Sequence, residues 1–464
     1  MTTFRRLSAS TLAPAAIALS LGWVTPAQAQ SSDALRQELA EMHAQMQAMA
    51  SRIDSLESQL VDANAKAEAA TSAAATASAQ AAEAKDATKG MPKVTWKGAP
   101  EFEGEGGWSF KVRGRLQADA GSVNAPGGSG QDLGFGNEIR RARLGVEGDL
   151  PGGFGYKFET DFAGGDAEIT DAMLTYKDGG VKVAVGQQNN FQSLEELTSS
   201  RFSSFIERAA FTDAFNFERR LGLSAEYGSG DMLVQAGVFS DNIADIGSTT
   251  NNSWGGDLRA VYMPKLGNTQ LHLGGSVHYR DLNNAAASVR YRQRPLVHFT
   301  SVRFLNTGNI AATSETSYGA ELAAINGPLH FAGEAYWQKV ASPGSADPTF
   351  FGGYAEVGYF LTRGDTRGYK KGVFDRVKPA NGFEKGGIGA VQVNLRYDYL
   401  DLNDGPVIGG KQRGYQASLI WTPTAYTRFM ANYGRMEYTD AAIPTADGTK
   451  YGVDVFGMRA QFDF

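Results

Sequence analysis

The chain has 464 residues, 56 of them glycine and 11% of them aromatic, with 20% charged. That composition is unusual for a soluble enzyme. It suits a membrane barrel, which needs many turns, aromatic girdles and one polar face for every apolar one. A formal net charge of −6 excludes a nucleic-acid binder of the usual basic kind, and the absence of cysteine excludes thiolate metal sites and cysteine nucleophiles.

In chain order, Arg5 and Arg6 precede an apolar stretch from Thr11 to about Val24, and Ala27-Gln28-Ala29 forms a small-x-small cleavage site before Gln30. Residues 1–29 are read as a signal peptide. The apolar run is too short to span a bilayer, and no later window offers about 18 uninterrupted apolar residues. An exported chain of this kind that is integral to a membrane must therefore cross it as a barrel.

Residues 30–89 contain almost no Gly or Pro. Leu35, Leu39, Met42, Met46, Met49, Ile53, Leu56 and Leu60 recur at alternating spacings of four and three, which is a heptad seam. Ala63, Ala67, Ala70, Ala74, Ala77, Ala81 and Ala84 continue the register with small side chains. One helix cannot bury such a stripe alone, so a periplasmic coiled coil that oligomerises is expected. Gly90-Met91-Pro92 ends the pattern, and 90–107 reads as linker.

From Trp108 the period changes to two. Trp108, Phe110, Val112, Leu116 and Ala118 alternate with Lys111, Arg113, Arg115, Gln117 and Asp119. A row of charges is prohibitive in a dry core and must face water. The pattern recurs to the C-terminal Phe464 and predicts a 16-stranded antiparallel transmembrane β-barrel over 108–464, an all-β membrane protein preceded by the α-helical coiled coil. Expected strands are 108–120, 138–149, 155–163, 169–177, 180–187, 219–228, 231–240, 254–263, 269–280, 316–325, 328–340, 350–363, 388–401, 412–422, 427–438 and 451–464. Tight glycine turns mark one end and long loops the other. Residues 364–387 break that alternation: either a short turn is elaborated there or the strand count slips.

Two connections are long enough to fold into a pore, about 188–218 and about 281–315. The second carries Arg290, Arg292 and Arg294 at period two, so an extended segment projects all three guanidiniums to one side, a costly arrangement unless anions or water screen it. Guanidinium matches phosphate oxygens well, and rings of arginine make a water-filled pore favour anions. Strict alternation puts Arg141 and Arg143 in the lumen and leaves Arg140 at a strand end. The same arginines fit the mixed salt-bridge lining of a general porin, and spacing leaves both readings open. The five histidines are scattered, no Ser/His/Asp order stands out, and no cofactor or metal signature is present, so no enzyme activity is expected.

Residues 193–208 (SLEELTSSRFSSFIER), with YRDLNN at 279–284, RYRQRP at 290–295, YGAELAAINGP at 318–328, FLTRGDTRGY at 360–369 and FDRVKP at 374–379, resemble the phosphate- and polyphosphate-selective porins of the outer membrane. The resemblance covers essentially the whole barrel. It implies a homotrimer of 16-stranded barrels whose first long inward loop and arginine ladder line the path of phosphate. By that resemblance Ser199, Ser200 and Arg208 sit on the constriction loop, Arg140 and Arg141 on the facing wall, Asp171 nearby, and Arg290, Arg292 and Arg294 at the extracellular mouth. It also accounts for the long 364–387 connection. Members most specific for phosphate carry lysine where this chain has Glu196, an aromatic residue where it has Arg143, and arginine where it has His298.

The function expected is passive diffusion of anions, among them phosphate, pyrophosphate or polyphosphate. A porin for other small hydrophilic solutes and a structural tether through the coiled coil are the alternatives. The expected location is the outer membrane of a Gram-negative cell with the N-terminal segment in the periplasm. Expected partners are lipid and lipopolysaccharide, the barrel assembly machinery through Phe464, and periplasmic or cell-wall components through the coiled coil, with no nucleic acid.

Overall fold

The computed structural model describes residues 32–87, 91–245, 252–283, 287–344 and 346–464. The proposed signal peptide, residues 1–29, lies outside them. The chain divides into two units, residues 1–89 and 90–464.

The described part of the first unit is one helix, α1, Ser32–Ala87, of 56 residues. Long-chain and alanine residues of high helix propensity run through it, and Asp33 lies in its first turn, where a negative charge complements the helix dipole. Leu35, Met42, Met49 and Leu56, with the other large residues of the seam, are 52–62% exposed. In the single chain the stripe is open.

The second unit is a closed antiparallel barrel of sixteen long strands: β1 Ser109–Asn124, β2 Gly134–Asp149, β3 Phe154–Asp161, β4 Glu168–Asp178, β5 Val181–Asn189, β6 Arg219–Ser229, β7 Met232–Phe239, β8 Trp254–Tyr262, β9 Thr269–Asp281, β10 Ser314–Asn326, β11 Leu329–Ala341, β12 Thr349–Phe360, β13 Ala390–Asp404, β14 Val407–Thr424, β15 Thr427–Thr439 and β16 Tyr451–Asp463. Each pairs with its neighbours in sequence, and β16 closes on β1 through Phe456↔Ser122 to Asp463↔Arg115. Closure leaves no strand edge unpaired, the condition for a sheet to sit in lipid. All sixteen strands foreseen from alternation are present. Within the stretch read as linker, Lys93–Trp96 and Pro100–Glu103 form a hairpin around Gly98, at φ 86°, and its second strand pairs with the start of β1.

Alternation along each strand separates two environments. In β16 the buried and exposed positions alternate to the end, with Phe456, Met458 and Phe462 41–48% exposed outside while Arg459, Gln461 and Asp463 are buried inside. The outer surface is apolar and aromatic, with pairs such as Trp337–Phe351 and Tyr397–Tyr415 at 5.3 and 5.5 Å. Phe464 exchanges backbone hydrogen bonds with Gly114. A side chain at Gly114 would occupy the space of its ring.

Four register shifts interrupt the barrel ladders, and two of them, in β2 and β4, bear on the lumen wall. Gln117 pairs with Arg141 but Ala118 pairs with Ile139, so Arg140 is an extra residue in β2. Thr170 is extra in β4 in the same way. The long connection between β12 and β13 does fall at the short-turn end. It carries a small hairpin, Gly368–Lys370 with Val373–Asp375, so the irregularity at 364–387 is an elaborated turn and the strand count stands.

Candidate functional site

The apolar core of this unit lies inside the barrel. Loop 190–218 after β5 and loop 282–313 after β9 fold inward and pack Phe211, Phe215, Tyr291, Phe304 and Leu305 against wall residues drawn almost entirely from β10–β16. Phe211 stacks on Tyr336 at 4.9 Å, and Phe304 on Tyr438 at 5.0 Å. Gly352 and Gly457 make room: a Cβ there would collide with Phe211 and Ile206. The lumen facing β1–β6 is left to polar and charged groups.

Loop 190–218 carries two short helical turns, α2 Leu194–Leu197 and α3 Ala210–Ala214. Wall side chains accept its free N–H groups. Asp257 accepts from Phe191 at 2.7 Å, and the two Glu334 oxygens accept from Leu194 and Glu195 at 2.9 and 2.8 Å. Asp398 accepts from Ala210 at 2.9 Å, and Asn432 from Ile206 at 2.7 Å. Helix starts are donor-rich, so carboxylates are suited to hold them. The Arg396 guanidinium, 1% exposed, joins Glu195 of the loop to Glu356 of the wall and lies between the rings of Phe205 and Tyr354. These bonds hold the loop across the interior.

Ser199, Ser200, Glu196 and Arg208 all lie on this loop. Ser199 Oγ accepts from the Arg201 Nε at 3.1 Å. Ser200 is buried; its hydroxyl accepts from Arg115 and its carbonyl from Gln117 Nε2 at 3.2 Å. Arg208 donates to the carbonyls of Glu195, Glu196 and Thr198 and meets the Glu196 carboxylate at 3.2 Å. Much of its hydrogen-bonding capacity is therefore spent inside the loop. Burial pushes the Glu196 carboxyl above its ordinary value, against the opposing pull of Arg208.

On the facing wall the β2 bulge changes the expected picture. The extra residue turns Arg140 inward as well as Arg141, where strict alternation left Arg140 at a strand end. Arg140 makes a two-pronged pair with Glu207 at 2.9 and 3.2 Å. Arg141 meets the neutral Gln117 at 2.9 Å. Arg143 is paired with Asp161 at 2.7 Å and Glu159 at 3.1 Å. Asp171 is held between Lys157 at 2.6 Å and Arg219 at 3.0 Å. Burial alone would raise Glu207, but Arg140, Arg459 and Arg141 outweigh it and hold its carboxyl well below the usual range.

Loop 282–313 is a β-ribbon: Ser288–Val289 pairs with Ile310–Ala311, and Arg292–Gln293 with Leu305–Asn306. Val289, Tyr291 and Gln293 are buried, whereas Arg290 and Arg292 are exposed and Arg294 half-buried on the opposite side. Arg290 donates to Asn306 at 2.9 Å. Arg294 meets Asp213 at 3.4 Å. Arg303, not foreseen, returns beside them; burial and the repulsion of Arg294 and Arg292 bring it down to about 10. His298 contacts Glu138 at 2.9 Å and joins this loop to β2.

A lumenal cavity of about 370 Å³ is lined by Arg140, Arg141, Arg143, Arg208, Arg219 and Arg294, with Glu196, Glu207, Asp213 and Glu218. It gathers part of the expected set. Ser199 and Ser200 lie off it, and Arg290 lines a neighbouring cavity of about 360 Å³. Among the described residues, Arg141, Arg290, Arg292 and Arg303 have no carboxylate within ion-pair distance. The groups that sequence reasoning missed are Glu207, Asp213, Glu218, Arg219 and Arg303. Glu207 and Arg219 stand at the end of the 193–208 motif and at the first position of β6, which is the signal that was available.

A closed sixteen-stranded antiparallel barrel, apolar outside, charged inside and partly filled by inward loops, is an outer-membrane porin. The chain belongs to the family of phosphate-selective porins O and P, whose profile matches residues 110–464. It is 46% identical over 452 residues to an uncharacterized protein of Caulobacter vibrioides, covering 93% of this chain and 90% of that one. To Porin O of Pseudomonas aeruginosa it is 27% identical over 403 residues, covering 77% and 89%. Among solved structures, the anion-selective porin from Comamonas acidovorans matches with a TM-score of 0.46 and 14% identity over 76% of this chain and 100% of that one.

Proposed function

We propose that this porin is a homotrimeric channel for passive diffusion of anions, above all phosphate, pyrophosphate and polyphosphate. One observation carries the reading: along the polar side of the lumen and its mouth, Arg141, Arg290, Arg292 and Arg303 are guanidiniums that, among the described residues, no carboxylate meets within ion-pair distance. Uncompensated charge in a narrow, partly desolvated passage raises the local concentration of the opposite ion. Guanidinium pairs fit the tetrahedral oxygens of phosphate. The long loops would face the outside and the short turns the periplasm. Ser199, Ser200, Arg208 and Asp171 act here as scaffold that positions the loop and wall, with Arg140, Arg141 and Arg143 nearest the passing ion.

A porin for other small hydrophilic solutes is the second reading, favoured by one feature: Glu196, with Glu207, sets carboxylates at the loop where the cations gather. Planar-bilayer recordings under a salt gradient separate the two. An anion-selective reversal potential, with chloride conductance reduced by added phosphate, is expected. A cation-selective reversal potential, or chloride conductance unmoved by phosphate, would defeat the phosphate reading. Glu196→Lys changes the local charge by two units and should tighten the phosphate block severalfold.

Partners follow from the same surfaces. The apolar outer band contacts lipid and lipopolysaccharide, the aromatic end of β16 at Phe464 is offered to the barrel assembly machinery, and α1 extends into the periplasm towards periplasmic or cell-wall components.

A further inference from the structure

The helix α1 leaves its apolar stripe open over its whole Leu–Met half: Leu35, Leu39, Met42, Met46, Ile53 and Leu56 are 52–57% exposed. The positions flanking that stripe say what covers it. Numbering the heptad with Leu39, Met46, Ile53 and Leu60 at a places Leu35, Met42, Met49, Leu56 and Ala63 at d. The g positions are then Glu38, Gln45, Arg52, Gln59 and Lys66, and the e positions His43, Ala50, Glu57, Asn64 and Thr71.

In a parallel coiled coil each g residue meets the e residue of the next heptad in the other chain. At zero offset Arg52 meets Glu57 of the partner subunit, Glu38 meets His43 of the partner subunit, and no like charges meet. Sliding by one heptad leaves Arg52 against alanine or asparagine and sets the Leu60 layer against an alanine layer or back against Ile53. The abrupt step from Leu60 to Ala63 in the seam works against such a slip, because a large layer opposite a small one leaves a cavity. An antiparallel arrangement with full overlap lays the Leu–Met half on the Ala half and brings Arg52 towards Lys66 of the partner subunit.

We propose that α1 docks on α1 of further copies of this chain, parallel and in register, with Arg52 and Glu57 as the pair that sets orientation. The proposal rests on the multimeric reading above, yet the two fail separately. The chain's lack of cysteine makes the test clean, since every disulfide must come from an introduced thiol.

Full-length protein in detergent would carry a single thiol at a d position, Leu56→Cys or, in the alanine half, Ala70→Cys. The outward f position, Ser58→Cys, is the comparison. Mild oxidation should give a linked two-chain species from both d variants and none from Ser58→Cys. Arg52→Glu should slow linkage of Leu56→Cys, and adding Glu57→Arg should restore it. Absence of linkage at both d positions, or equal linkage at Ser58→Cys, would overturn the proposal. So would an Arg52→Glu defect that the reversed pair leaves uncorrected. Chains linked through α1 whose barrels run as separate units would leave this inference standing and defeat the trimer. Associated barrels with no d-position linkage would do the reverse.

Discussion

Glu196 and Glu218 are the carboxyls lining the arginine-rich cavity that burial raises, and Glu196 is the one seated on the inward loop beside Arg208. Burial raises the Glu196 carboxyl, so a larger share of it is neutral under mild acid than for an exposed glutamate. The sign follows: as pH falls through that raised value one negative charge leaves the arginine-lined cavity, and preference for anions rises. Glu207 does not share in this, since its three arginine neighbours hold it ionised far below that range. Reversal potentials measured from neutral pH to about 5 should therefore climb towards anions in the wild type. The climb should be shallower in Glu196→Gln, which begins at the higher selectivity and keeps only the contributions of Glu218 and His298 at the same cavity. A profile that Glu196→Gln leaves unchanged would show that Glu196 carries no charge seen by the ion. The sequence showed Glu196 and the arginine cluster as types of side chain but not their pairing. Alternation alone leaves Arg140 at a strand end, where the resemblance sets it on the wall, because a bulge adds a residue without altering the polar–apolar pattern around it. Arg303 was overlooked because its nearness to Arg292 and Arg294 comes from the return strand of the 282–313 ribbon, not from a spacing.

At the scale of elements, strands were legible and loop contacts were not. Every strand of a barrel has one face in lipid and one towards the lumen, so each prints a period of two, and glycine-rich turns punctuate it. Loop 190–218 prints no period, because what holds it is a set of single wall residues, Asp257, Glu334, Asp398 and Asn432, each an ordinary inward polar position in its own strand. Glu334 shows what such a position does. Its two oxygens accept both leading N–H groups of α2, and Tyr354 also donates to it at 3.0 Å. In Glu334→Ala those donors lose their acceptor, at about 1–3 kcal/mol for each buried group left unsatisfied. Single-channel recordings should show larger, noisier conductance as the loop loosens, with the barrel still folded by circular dichroism. Unchanged conductance and noise would mean that the remaining anchors suffice. The short-turn side supports the same loop: Phe374 N–H donates to Thr198 Oγ1 at 3.2 Å, while the hairpin that carries Phe374 is fixed to the wall where Gly372 carbonyl accepts from the buried Arg259 of β8 at 3.0 Å.

At the scale of the molecule, two units with separate physics share one chain. The barrel's stability comes from strand closure and its filled interior, and the α1 seam contributes to neither within a single copy. Deleting residues 31–90 should therefore leave a barrel that inserts and conducts with unaltered ion selectivity. If α1 also tethers the envelope, cells carrying the deletion should leak periplasmic protein while channel properties stay normal. Loss of conductance on deletion would instead tie α1 to barrel assembly.

The bonds that seat loop 190–218 also dictate when the lumen can form. Its N–H groups reach partners 139, 188 and 226 residues further along the chain, in β11, β13 and β15. Contacts so distant in sequence carry a loop-closure cost that is met only once the intervening strands are in place. Until β11, β13 and β15 are in place, the N–H groups of Leu194, Glu195, Ile206 and Ala210 lack their wall acceptors, and only the Phe191 bond to Asp257 of β8 can form earlier. The passage therefore takes its final shape only once the late strands that anchor the loop have joined the closed barrel.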